Sequence, residues 1–272
     1  MLFRSKAMAA LELSSEHLVQ GKQPTQMGQL IIDYFQYRAD VLNDYVRPRL
    51  MELAEAKATY EAMRAQHKPV LAPSMNKQKG EMRQVAYLAS LVNVIVESVA
   101  GWDGFNPNPL QLTTFTHNGL PVRTLSRRVD GALPGVVNPV ALWEVKEYYH
   151  NKTFGSRIAD AVYETQLDGM ELEEMLEHTD RFCEHMLVID SYNTWWNMGR
   201  AQLCRMIDIL SMGYVDEILF GREAIERLPA LVAGWEQKAK QNLAHEPQIR
   251  GAEGDAPSEL DEKKDGQGLL DI

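Results

Sequence analysis

The chain has 272 residues, of which 45% are hydrophobic and 24% charged, and a formal net charge of −10. It is long and apolar enough to bury a sizeable core, which points to an ordinary globular protein of one domain with additions, or of two small ones. No apolar run reaches the ~18 to 20 residues that a membrane-crossing helix needs, and residues 1–20 lack the basic-then-apolar layout of a secretion signal, so a cytoplasmic protein without a membrane partner is expected. Two cysteines, Cys183 and Cys204, are too few for a disulfide framework or a zinc cluster and read as buried free thiols.

The acidity argues against a phosphate-gripping protein, which usually carries a basic face. It is unevenly spread, however. Residues 246–272 hold eight acids and three bases, a net −5, whereas residues 121–157 hold six bases and three acids, a net +3.

Along the chain, residues 26–66 are rich in Leu, Ala, Glu, Met and Arg, which predicts helices broken near Arg47-Pro48. Residues 67–80, with Pro69, Pro73 and several lysines, have loop composition, so an N-terminal helical region over 1–80 is expected to precede the main domain. Residues 81–100 are apolar on nearly all sides and predict a buried helix ended by Gly101. An Asn118-Gly119 pair between two strand-like runs, residues 112–115 and 122–129, is a hairpin signal. A third strand is expected over 141–149, then a long amphipathic helix marked by Ile158, Ala161, Val162, Thr165, Gly169, Leu172 and Leu176. A strand over 186–190, a helix over 200–212, a strand over 215–220 and a helix over 223–240 complete an α/β pattern, a mixed α+β chain with a central mixed sheet flanked by helices over 81–243. Residues 244–272 have the composition of a disordered acidic tail.

The chemically informative segment is Leu142-Trp143-Glu144-Val145-Lys146, where opposite charges sit two positions apart in an apolar strand. Strand periodicity puts Glu144 and Lys146 on one face. A charge in a core strand is costly unless it is paired or binds a metal. Asp130, expected at the end of the preceding strand, supplies a third member. Two carboxylates can hold Mg²⁺ and leave coordination positions open, while a lysine orients or helps deprotonate an attacking water, which is what phosphodiester hydrolysis requires. The Glu-x-Lys triplet also occurs at Glu55-Lys57, Glu236-Lys238 and Glu262-Lys264, but only Glu144 and Lys146 combine a strand, an apolar setting and an upstream Asp. The alternative is a cross-strand salt bridge.

Asp130, a 13-residue gap and Glu144-Val145-Lys146 resemble the signature of the PD-(D/E)xK nucleases, with Val129 where that signature has proline. The resemblance covers residues 81–220, where a helix, three strands, a helix and further strands follow in the family's order. It implies a restriction-endonuclease-like core and Mg²⁺-dependent cleavage, with Asp130 and Glu144 as metal ligands and Lys146 at the attacking water. Mn²⁺ is the expected substitute. It also implies a further ligand on the preceding helix, for which Glu97 is the candidate, the alternative being a solvent-facing side chain. After the motif strand, Lys152, Arg157 and Gln166 are candidate contacts to nucleic acid, against the simpler reading of a solvated surface. Trp195-Trp196 are read as packing rather than as a base-stacking platform, and His117 as a turn residue.

The expected function is therefore a DNA endonuclease of restriction or phage-defence type, as a homodimer where both strands are cut. A repair or branched-DNA nuclease, or an RNA nuclease, would use the same site. The reading from another class is a non-enzymatic interaction protein, which the overall acidity favours. The terminal Gln267-Gly268-Leu269-Leu270-Asp271-Ile272 also loosely resembles bacterial sliding-clamp-binding peptides and could dock in a partner's groove.

Overall fold

A computed structural model of the chain describes residues 16–76, 78–150, 155–179 and 181–245. Two short strands, β1 (Val19–Gln20) and β2 (Gln23–Pro24), precede α1 (Gln26–Asp40). Thr25 starts α1 by accepting the Gly28 amide on its hydroxyl at 3.1 Å, one of the four donors a helix start leaves unpaired. The helix loosens through a π-turn at Val41–Val46 and a 3₁₀ turn at Arg47–Arg49 that holds Pro48, so the expected break lies there. α2 (Leu53–His67) follows and stops at Lys68, whose φ is 47°.

The buried helix expected over 81–100 is shorter, α3 (Tyr87–Ala100), and Gly101 ends it with φ 81°. Its start is delayed because Met75 pairs with Val85 as an antiparallel bridge and Ala86 donates to the Ser74 carbonyl, which holds residues 83–86 extended. The Asn118-Gly119 hairpin is present as β3 (Thr114–His117) and β4 (Leu120–Thr124), with both turn residues at positive φ, 50° and 79°. The second strand stops at Thr124 rather than near 129. Beyond it, Glu171 accepts the Ser126 amide and hydroxyl, which diverts the backbone from the ladder. Asp130 thus lies just before a separate short strand, β5 (Gly131–Leu133), and does not end the hairpin strand.

The main sheet has the order β5-β6-β7-β8, with β6 at Ala141–Glu147, β7 at Glu184–Asp190 and β8 at Glu217–Phe220. β5 is antiparallel to β6, and β6, β7 and β8 are parallel. Parallel neighbours need crossovers, supplied by α4 (Ser156–Thr179) and α5 (Arg200–Met212); α6 (Glu223–His245) closes the chain. On one face Trp143, Met186, Val188 and Leu219 pack against α3 and α6. On the other, Leu187, Ile189, Ile218 and Phe220 pack against α4 and α5. The result is a mixed α/β fold with a four-stranded mixed sheet between helical layers.

Residues of the expected N-terminal region join these cores: Met51 and Ala56 the first, Leu42, Val46 and Leu50 the second. That region therefore shares its apolar burial with the sheet. Trp195 and Trp196 are buried in a π-turn at Tyr192–Met198. Cys183 is buried, but Cys204 is only partly so, a correction to the expected pair of buried thiols. Among the described residues no helix is long and apolar enough to cross a membrane. The expected disordered tail and its terminal peptide lie outside the described residues, apart from residues 244 and 245, which end α6.

Gly131 sits opposite Trp143 in the β5–β6 register, and a Cβ there would lie 2.1 Å from the indole, which in turn stacks on Trp235 at 5.8 Å. Gly131→Ala is expected to destabilise the fold by roughly 1–3 kcal/mol, the cost of overpacking a filled core. Urea unfolding checks this, and an unchanged midpoint would contradict the packing described.

Candidate active site

β6 divides its side chains between the two faces. Leu142, Glu144 and Lys146 face α4, while Trp143 and Val145 join the core under α3 and α6. Glu144 is 1% exposed and Lys146 6%, so the charged pair is inside the protein. Lys146 Nζ donates to Glu144 Oε2 at 2.9 Å and to Glu164 Oε2 at 2.8 Å. Arg127 enters from the diverted segment after β4; its Nη2 donates to Glu144 Oε2 at 3.1 Å and its Nη1 to Asp168.

The carboxylates come from α4, where Glu164, Asp168 and Glu171 recur at steps of four and three and so share a helix face. Glu171 binds Arg123 at 3.0 Å and receives the Ser126 amide at 2.9 Å, which fixes the segment that carries Arg127. The three bases Arg123, Arg127 and Lys146 are thus each paired with acids of α4. The basic excess read over 121–157 is neutralised by a helix that runs on beyond that window.

Burying unpaired ions costs several kcal/mol each. Here two cations interleave with Glu144, Glu164 and Asp168. Burial opposes the charge on Lys146, but the Glu144 carboxylate beside it wins and raises the Lys146 pKa, so the ammonium is retained. Burial also pushes Asp168 up to about 7, against the pull of Arg127. Two carboxylate oxygens of this cluster, Glu144 Oε1 and Asp168 Oδ1, are buried without a hydrogen-bond partner.

His185, the β7 neighbour of Leu142, adds a third such atom, Nε2. Its Nδ1 lies 2.8 Å from the Tyr214 carbonyl, which can only accept, so Nδ1 carries the proton and Nε2 presents a lone pair. Burial lowers the His185 pKa and keeps the ring neutral.

Asp130 is clasped to β6 around Glu144. Its backbone amide donates to the Trp143 carbonyl at 3.1 Å, and its Oδ2 accepts the Val145 amide at 2.9 Å. Tyr148 follows on the Lys146 face, tilted against Trp195 at 5.6 Å, while the Trp195 Nε1 donates to the Lys146 carbonyl.

At the same end of the sheet, Glu147 accepts the Leu88 amide at 2.6 Å and so caps α3, whose own N-cap residue, Ala86, has no capping side chain. Asp190 accepts the amides of Met51 and Ser191 on one oxygen and the Tyr149 hydroxyl on the other, which ties residue 51 to β7. Burial, the largest cause in both, raises Glu147 to about 8 and Asp190 to about 7; their mutual repulsion adds to the Glu147 shift.

The remaining expected residues lie elsewhere. Glu97, toward the far end of α3, accepts the amides of Val70 and Leu71 and so fastens the segment after α2. Its carboxylate is half-buried and lies outside the Glu144 cluster. Gln166 is half-buried on α4, about 200° round the helix from Glu164 and turned from Lys146. Arg157 is in the first turn of α4 with its side chain outside the described residues, as is Lys152 altogether. The residues that sequence reasoning missed are Arg127, Glu164, Asp168 and His185. Asp168 and Glu171 were visible as acids within the apolar stripe of α4; His185 gave no sequence signal.

The sequence model of a domain of unknown function, DUF7687, matches residues 51–235, which takes in every element from α2 through most of α6. A second domain of unknown function, DUF7690, matches residues 3–45. Comparison with curated proteins and with solved structures gives no significant match.

The raised pKa values of Glu147 and Asp190 make stability fall with pH. The folded state keeps protons that the unfolded chain releases above about pH 4, so their stabilisation is complete in acid and is lost as pH rises through about 7 to 8. Glu147→Gln still accepts the Leu88 amide and should flatten the decline between pH 5 and 8 by up to ~1.4 kcal/mol per pH unit. Unfolding titrations across that range measure the slope, and a wild-type slope in the variant would refute the assignment.

Proposed function

The chain belongs to the DUF7687 domain family, and we propose that it is a metal-dependent endonuclease acting on DNA, of restriction or phage-defence type. The observation that carries this reading is a Glu144–Lys146 pair buried on one strand, with Asp130 hydrogen-bonded to the residue between them. The order of elements supports it: α3 precedes β5 and β6, and α4 joins β6 to the parallel β7, as in a PD-(D/E)xK core.

The donor set fits a hard divalent cation. Glu144 Oε1 is buried without a partner, an arrangement costly to leave unmet and suited to Mg²⁺ or Mn²⁺. Asp130 and Glu144 would hold the ion with water and substrate oxygens as its other ligands; among the described residues no three His, Cys, Asp or Glu side chains are grouped as a metal's ligands. When bound, the cation supplies charge neutralisation at a phosphate oxygen and acidifies a water.

Lys146 holds its ammonium between Glu144 and Glu164, where it can donate to the attacking water and offset charge growing on the phosphate. Arg127 bonds to Glu144 from a position 23% exposed, which supports a role for it as the cation that passes from that carboxylate to an incoming phosphate. Asp130, held through the Val145 amide, is the second carboxylate this reading assigns to the ion. Cutting both strands would take two copies of this site.

A second reading rests on the pairing of Glu144, Lys146, Arg127 and Asp168 with one another: the cluster is a structural ion network and the protein an interaction module. Cleavage separates the two. Purified protein with Mg²⁺ or Mn²⁺ is expected to cut DNA, and comparison of linear duplex, branched and single-stranded DNA with RNA selects the substrate. Lys146→Ala and Asp130→Asn should each reduce the rate about a hundredfold or more while the circular dichroism spectrum stays that of the folded chain. Undiminished cleavage in folded variants, or no cleavage of any substrate by the wild type, rules the nuclease reading out.

A further inference from the structure

Away from the charged cluster, α2 and the start of α3 enclose a cleft of about 660 Å³. Lys57, Glu61 and Arg64 line one wall at steps of four and three residues, a single face of α2, and Lys68, the residue that ends the helix, continues that wall. All four are exposed. Lys57 makes a 3.9 Å contact with Glu61, and no carboxylate lies within ion-pair distance of Arg64 or Lys68 among the described residues. Three cations against one acid is a local excess in a chain of net charge −10. The opposite side carries Tyr87, half-buried, with its ring 6.0 Å from that of Tyr60.

We propose that this cleft is a track for a single strand of DNA, with phosphates on Lys57, Arg64 and Lys68 and a base against Tyr87. Choosing DNA as the strand rests on the nuclease reading above. The dimensions suit the role. From Lys57 to the helix end at His67 the rise is about 15 Å, room for two or three nucleotides of an extended strand. An exposed cation row facing an aromatic ring is the pattern that binds single strands without base readout, one holding phosphates and the other stacking.

The track starts at the end of the sheet that carries the active site. Glu55, two residues before Lys57, pairs with Arg222 and acts electrostatically on Tyr149, two residues beyond Glu147 on the way out of β6. Tyr87 precedes Leu88, whose amide Glu147 receives, so the cleft wall is bonded to the residue next to Lys146.

The test is binding of a 5′-fluorescein-labelled 12-residue oligodeoxythymidine to the full chain, followed by anisotropy in EDTA so that no cleavage occurs. Arg64→Ala with Lys68→Ala, both exposed, is expected to weaken binding roughly tenfold or more and to make the salt dependence shallower by about 1.4 in the log–log slope. Tyr87→Leu is expected to weaken binding roughly tenfold with the slope unchanged. Wild-type affinity and slope in the double variant overturn the track, as does equal competition by poly-glutamate, which would mark a site for acidic protein. The two readings fail separately. Binding that depends on Arg64 and Lys68 without cleavage of any substrate leaves the track and removes the nuclease; cleavage with unaltered binding in the double variant does the reverse.

Discussion

An ion pair inside a β-strand, Glu144 with Lys146, is the constraint around which the neighbouring elements are arranged. Charges removed from water must be answered by other charges or by hydrogen bonds, and β6 is covered on that face by a helix. The helix therefore cannot be wholly apolar. α4 carries Glu164, Asp168 and Glu171 on its inner side, and these draw Arg127 and Ser126 out of the hairpin ladder. That diversion ends β4 early, leaves Asp130 just ahead of a separate strand, and bonds it to the β6 backbone on either side of Glu144. The local irregularities of the sheet follow from satisfying one buried pair.

The opposite side of β6 meets a different demand. Glu147 and Asp190, neighbours in the parallel register, end their strands among apolar residues and spend their oxygens on backbone amides of α3 and of residue 51. These bonds attach the helical N-terminal part to the sheet at the end where Lys146 emerges. Chain segments distant in sequence thus meet at this end of the sheet.

Much of this was legible in the sequence. The Asn118-Gly119 turn, the broken helix at Pro48, the helix over 200–212 and the face shared by Glu144 and Lys146 all follow from local rules of turn chemistry and periodicity. What was not legible depended on long-range partners. No local rule ends β4 at Thr124, since the cause is Glu171, 45 residues away from Ser126. Glu97 looked like a ligand because it is an acid on a buried helix, but its partners are amides of a loop 26 and 27 residues earlier. The net +3 read over 121–157 dissolved for the same reason, because the compensating acids lie on the next helix.

The central claim is that the carboxylates of Asp130 and Glu144 hold a divalent cation. Calorimetric titration of the folded protein with Mn²⁺ tests it without reference to any substrate. Binding should be present in the wild type and in Glu97→Gln, and lost in both Asp130→Asn and Glu144→Gln. Binding that survives in those two variants, or is absent from the wild type, would contradict it.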